Sequence, residues 1–187
     1  MARIVGGVTT SHIPAIGNAM TDGKENDPYW KRFFDGYEPV KEWLAKVDPD
    51  IAIVVYNDHG LNFFLDTVPT FALGRALRKA IESYPEDKKV VIFGTGGMSH
   101  QLQGERAGHI NVEFDLQCME SIIDDPEWLV GLGNTEIIEK AGTEGIEVIM
   151  WLVMRGALQE KVNVVHKHYH VPVSNTGAGV LVLENPD

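Results

Sequence analysis

Residues 51–60, IAIVVYNDHG, constrain the fold more than any other stretch of the chain. The run Ile51-Ala52-Ile53-Val54-Val55-Tyr56 is apolar and mostly β-branched. Such a run reads as a strand covered on both faces, in the interior of an α/β sheet. Asn57, Asp58, His59 and Gly60 follow at once. They place an amide, a carboxylate and an imidazole just beyond the strand's carboxyl end, where open α/β sheets hold ligands.

Two further apolar runs end in the same way. Residues 3–8 lead into Thr9-Thr10-Ser11-His12, and residues 89–93 lead into Gly94-Thr95-Gly96-Gly97-Met98-Ser99-His100. Between them, helical apolar spacing runs from Tyr29 to Leu44 and over 75–83, while residues 17–29 read as loop and Pro69 and Gly74 as punctuation. Later helices are expected over 111–123, from Asp125-Pro126, over 134–140 and over 146–158. Strands at 163–170 and 179–183 close the chain. The expected fold is α/β: a mixed central sheet flanked by helices, in one domain spanning 1–187, a size that suits a single core.

Charge narrows the function. With 27 acidic and 16 basic residues the net charge is −11, and no long Lys/Arg run is present. Neither a nucleic-acid partner nor attraction to an anionic membrane is expected, and an anionic substrate would need a local cation or a metal. The opening residues lack the apolar run of a signal peptide, and no stretch reaches membrane-span length. With one cysteine, Cys118, expected to be a small buried helix residue, a cytoplasmic location is expected.

If the first three strands are parallel neighbours, His12, His59 and His100 converge at one edge of the sheet. A single histidine is better read as structural or superficial; three at strand exits favour chemistry. Glu147 is the lone acid of a strongly apolar stretch, and burying it is costly unless it is paired or binds a metal. It would complete two histidines and a carboxylate, a set that suits non-haem Fe(II), although an exposed acid in a helix's first turn is the other reading. Asn57 and Asp58 either orient a ligating imidazole or cap the next turn. The glycines at 94–97 fit neither a dinucleotide nor a phosphate loop, so they more plausibly let the backbone pass a ligand while delivering His100, a candidate acid or base. His166, His168 and His170 share a strand face, read as polar or partly packed rather than as a metal cluster. Ser174 and Asn175 contact a substrate or form a turn.

The motifs TSHIPAIG (10–17), VVYNDHG (54–60), GTGGMSHQLQG (94–104), EFDLQCMESIIDDPE (113–127), GTEGIEVIMWLVMRGAL (142–158) and HYHVPVSNTGAG (168–179) closely resemble the class III extradiol ring-cleaving dioxygenases, in particular the β chains of protocatechuate 4,5-dioxygenase. The resemblance implies a compact version of that fold, with His12, His59 and Glu147 as ligands of Fe(2+) and His100 as the acid/base beside a bound catechol. Ser174 and Asn175 would lie by the substrate carboxylate. The implied reaction is O2-dependent meta cleavage of protocatechuate or a related catechol carboxylate, aided by a small α subunit in an α2β2-type assembly. One departure is large: a long central segment of the family is missing near 74/75. That motivates an alternative, a metal-binding but catalytically impaired subunit or interaction module; a metal-dependent hydrolase explains the motifs less well. Trp30, Phe33, Phe34, Phe63 and Phe64 either expose an interface or pack inward.

Overall fold

The computed structural model describes residues 1–13, 15–57, 66–172 and 175–186. Its five strands form one mixed sheet: β1 (Arg3–Thr10), β2 (Ile51–Val55), β3 (Lys89–Thr95), β4 (Asn163–His170) and β5 (Ala178–Glu184), in the order β2-β3-β1-β5-β4. β2, β3 and β1 are mutually parallel, and β5 and β4 continue the sheet antiparallel. The parallel half therefore sends the exits of β1, β2 and β3 to one edge.

The first helices are α1 (Ala15–Thr21), α2 (Lys31–Asp35), α3 (Glu38–Val47) and α4 (Thr67–Glu82). They are followed by α5 (Val112–Asp124), α6 (Pro126–Val130), α7 (Asn134–Ala141), a 3-10 turn (Gly145–Val148) and α8 (Ile149–Ala157). α8 lies beneath the sheet with nearly every side chain buried, packed against α4 and β3. Each fully buried Leu or Met there, such as Leu152 or Met154, contributes about 1.5–3 kcal/mol by leaving water. On the opposite face α3 lays Val40 and Trp43 over Val8, Val91, Val180 and Val182. Gly6 and Gly7 permit both layers: a Cβ on Gly6 would meet the Trp43 ring at 2.8 Å, and one on Gly7 the Met154 sulfur at 2.3 Å.

Several elements depart from the sequence pattern. β2 is not covered on both faces. It is an edge strand whose Ile53 and Val55 pack on the main core while Val54 and Tyr56 remain 53% and 68% exposed. Among the described residues α3 packs on β1, β3 and β5, while the Ala52 and Val54 side of β2 is exposed, so an apolar run expected to be interior has one exposed face. Residues 17–21, the start of the 17–29 stretch expected as loop, belong to α1, and the 29–44 pattern divides at Gly36-Tyr37 into α2 and α3. α4 begins at Thr67 and passes through Pro69, which occupies its first turn, and Gly74. Glycine at 74 is a packing requirement: a Cβ there would stand 2.2 Å from the Val153 carbonyl oxygen of α8. Trp30, Phe33 and Phe34 pack inward in edge-on contacts with one another, which removes them as an exposed interface. Phe63 and Phe64 lie outside the described residues.

Candidate functional site

The exits of β1 and β3 meet the start of the helical layer. His12 follows β1 by two residues, and its Nε2 stands 3.6 Å from Oε2 of Glu147, with the two side chains 31% and 2% exposed. Glu147 sits in the 3-10 turn ahead of α8 rather than in the expected single helix 146–158, and it does not face solvent. Its Oε2 also accepts the Gly97 N–H at 3.1 Å. One buried carboxylate thus joins both exits. Two donors each about 2.1 Å from one ion lie between roughly 3.0 Å and 4.2 Å apart for angles from 90° to 180°. The His12–Glu147 separation falls within that range, so the pair fits two positions around a single cation.

His100 ends the β3 exit loop and is 7% exposed. Its Nδ1 lies 2.8 Å from the Met98 carbonyl oxygen. A carbonyl can only accept, so Nδ1 carries the proton and neutral His100 keeps its lone pair on Nε2. The ring lies against Gly97, where a Cβ would be 2.6 Å from His100 Cε1. This is the glycine loop's observed role: it passes the backbone by Glu147 and by the imidazole.

His59, Asp58 and Ser174 lie outside the described residues, and Asn57 follows β2 by two residues at the same sheet edge. Asn175 adopts the left-handed backbone (φ 53) and borders a shallow cavity of about 320 Å³ with Gln101, Leu102, Ala107 and Gly108, next to His100 in sequence. Among the described residues no group of three or more His, Cys, Asp or Glu side chains is arranged to hold a metal. The β4 histidines keep to their strand: the His166 and His168 rings stack 6.3 Å apart, and His166 Nε2 bonds the Gly36 carbonyl at 2.8 Å. His109 Nε2 likewise meets the Lys140 carbonyl at 2.8 Å. Cys118 is buried, and desolvation raises its thiol pKa well above the ordinary value.

Sequence reasoning missed Asp115. It is 1% exposed on α5, where its Oδ1 accepts the Ser99 N–H at 2.8 Å and its Oδ2 the Ser99 hydroxyl at 2.7 Å and the Tyr169 hydroxyl at 2.6 Å. Desolvation raises its pKa, partly opposed by the bonds from Tyr169 and Ser99. A signal was available: Asp115 shares the helical face of Cys118, Met119 and Ile122, all buried. A larger cavity, of about 620 Å³, lies at the far end of α8. Its arginines are all engaged, Arg78 with the Ala157 carbonyl, Arg155 with those of Ile122, Gln159 and Glu160, and Arg75 with the Glu127 carboxylate, so it reads as a structural crevice.

Comparison with known proteins bears on the same stretches. The family model described as the catalytic LigB subunit of aromatic ring-opening dioxygenase matches residues 6–72 and 63–181. A gallate dioxygenase of Pseudomonas putida is 50% identical over 117 residues, which are 63% of this chain and 34% of that protein. The match therefore spans about a third of that relative's length. No helix among the described residues is long and apolar enough to cross a membrane. With its mixed sheet flanked by helices and a family match that extends over most of its length, the chain belongs to the family of catalytic LigB subunits of aromatic ring-opening dioxygenases.

Proposed function

We propose that this chain is an Fe(II)-binding subunit of the extradiol type, holding the ion with His12, His59 and Glu147, and that in its compact form metal binding outlasts turnover. The 3.6 Å approach of His12 Nε2 to a carboxylate buried beside the His100 loop carries the metal half of this reading. A carboxylate in that position is costly unless something cationic balances it. The second half rests on β2: among the described residues the strand that leads to His59 has one exposed face, and a site whose supporting shell is incomplete loses the geometric precision that turnover needs.

When bound, the ion supplies electron donation to a chelated vicinal diol and a coordination position for O2. The protein residues do the rest. His100 takes a diol hydroxyl proton on Nε2, helped by the Met98 carbonyl that fixes its ring, and returns a proton as the ring opens. Ser174 and Asn175 receive the substrate carboxylate. The substrate class is a catechol carboxylate, either protocatechuate or the trihydroxy compound that gives the Pseudomonas putida relative its name. A small α subunit in an α2β2-type assembly is the expected partner, and reaction at full rate is expected in its presence.

A second reading, unaided ring cleavage, is favoured by the enclosed half of the site, since Glu147 and His100 are buried without any partner chain. Anaerobic Fe(II) titration followed by O2 uptake on protocatechuate and on gallate, with and without an α-type subunit, separates the two. Tight Fe(II) binding with little turnover alone supports the impaired subunit, and full turnover alone supports the unaided enzyme. Absence of Fe(II) binding refutes both.

A further inference from the structure

The β3 exit loop is held far more firmly than a loop needs to be merely to close a fold. Ser99 stands between Met98, whose carbonyl receives the His100 ring, and His100 itself. Both its N–H and its hydroxyl donate to Asp115, at 2.8 Å and 2.7 Å. The same hydroxyl accepts the Asn111 N–H at 2.8 Å, where α5 begins, so its donor and acceptor capacity are both used. The Ser99 carbonyl accepts the Gly177 N–H at 2.9 Å, and the Gly177 carbonyl accepts the Met98 N–H at 3.1 Å. Gly177 comes within reach only because it lacks a side chain: a Cβ there would stand 2.2 Å from Asp115 Oδ2. One carboxylate thus fixes the turn that orients His100 and lies against the segment that carries Asn175.

We propose that Asp115 is a positioning residue for His100: by gripping Ser99 from both sides it sets the 98–100 turn so that the Met98 carbonyl holds the imidazole as the Nδ1–H form, with Nε2 presented to the substrate. This rests on the reading of His100 as the acid/base, but its physical content is the state of one ring and is testable without metal or turnover. Removing the charge but keeping the shape leaves Ser99 facing an amide N–H₂ in place of one acceptor oxygen. The serine hydroxyl then loses its acceptor, and the turn loses its fixed pitch. A displacement of about 1 Å at an acid/base group lowers turnover by about 100-fold with little change in ground-state binding.

The test is nitrogen-15 NMR of the histidine rings in the metal-free full chain, with His100 assigned by its disappearance in His100→Gln. The wild type is expected to give the Nδ1–H signature. Asp115→Asn and Ser99→Ala are expected to give tautomer exchange, whereas Tyr169→Phe, which removes one bond to Asp115 and leaves both from Ser99, keeps the Nδ1–H pattern while lowering thermal stability. That contrast separates positioning from stabilisation. Should Asp115→Asn fail to fold, Ser99→Ala decides alone. An unchanged His100 signature in the folded variants overturns the proposal, as does an equal change in Tyr169→Phe. In the Fe(II)-loaded protein, kcat is expected to fall about 100-fold in Asp115→Asn at nearly constant KM and metal content. Full ring cleavage by His100→Gln, with the NMR contrast intact, would refute the acid/base role of His100 and leave the positioning of its ring standing.

Discussion

Glu147 offers the sharpest perturbation, because it has both a structural duty and a proposed ligand duty that two substitutions separate. In Glu147→Ala the Gly97 N–H loses its acceptor in a site whose side chain is 2% exposed. An orphaned buried donor costs about 1–3 kcal/mol. At about 2–4 °C per kcal/mol for a chain of this size, the metal-free melting temperature is expected to fall by about 2–12 °C. In Glu147→Gln an amide oxygen still accepts from Gly97, so the metal-free stability is expected to stay within about 1 kcal/mol of wild type. Both lose the anionic donor beside His12, and Fe(II) affinity is expected to drop by more than about 100-fold, since even groups that only support a ligand are worth 10–100-fold. Melts in chelator measure the first duty, and anaerobic titration with metal analysis measures the second. Wild-type Fe(II) affinity in Glu147→Gln would refute the ligand assignment and reduce Glu147 to a backbone anchor.

Tyr37 is partly buried with its hydroxyl 2.5 Å from Thr10 Oγ1 and 3.0 Å from the Ser11 carbonyl, and desolvation raises its pKa from 10.0 to about 12. The unfolded chain therefore loses this proton first, and stability falls as pH rises from 10 towards 12, by up to about 2–3 kcal/mol. Melts over that range are expected to show a shallower alkaline decline in Tyr37→Phe. His168 has its pKa lowered from 6.5, chiefly by desolvation and then by His166 and Arg32. The stability it confers is present above pH 6.5 and is lost as pH falls through its depressed folded value. His168→Gln is expected to flatten that acid limb and to keep Fe(II) binding; loss of iron would make the β4 histidines part of the site. Gly74→Ala forces a methyl against the Val153 carbonyl at 2.2 Å and is expected to cost about 1–3 kcal/mol in a denaturant melt; a neutral result would show that α4 and α8 separate easily.

What the sequence disclosed was local, and what it concealed was long-range. β1, β3 and β5 were visible as apolar runs and β4 as the strand that carries His166, His168 and His170 on one face, and the exits of β1 and β3 do bring His12 and His100 to one sheet edge. The position of β2 was not visible. An apolar β-branched run fits an interior strand, yet which strand lies outermost depends on how distant segments pair and on which helix covers them. α4 was hidden for a related reason: Pro69 and Gly74 are breakers by propensity, but the first serves a first turn and the second a helix contact made by residues about 80 positions away. Glu147 was flagged by its isolation among apolar residues, and the structure places it by His12 and Gly97. Asp115 carried a fainter signal, because Glu113, Glu120 and Asp124 on the same helix are exposed and made it look like surface.

The site is supported unequally, and that inequality follows from the sheet. His12 and His100 stand on the exits of the two inner parallel strands, with Glu147 reaching both exits from the 3-10 turn ahead of α8, β5 alongside and the Asp115 carboxylate fixing the turn before the imidazole. Asn57 follows β2, which among the described residues has a neighbour on one side only and one exposed face. A strand so placed opens at lower free energy than the strands it borders, because fewer buried contacts are lost when it does. A cation shared between the inner exits and a ligand following β2 would couple the two parts, drawing on the rigid half to order the looser one in proportion to its occupancy. If the proposed ligand set holds, metal binding and the ordering of the β2 edge are linked, and covering β2 from outside would favour both.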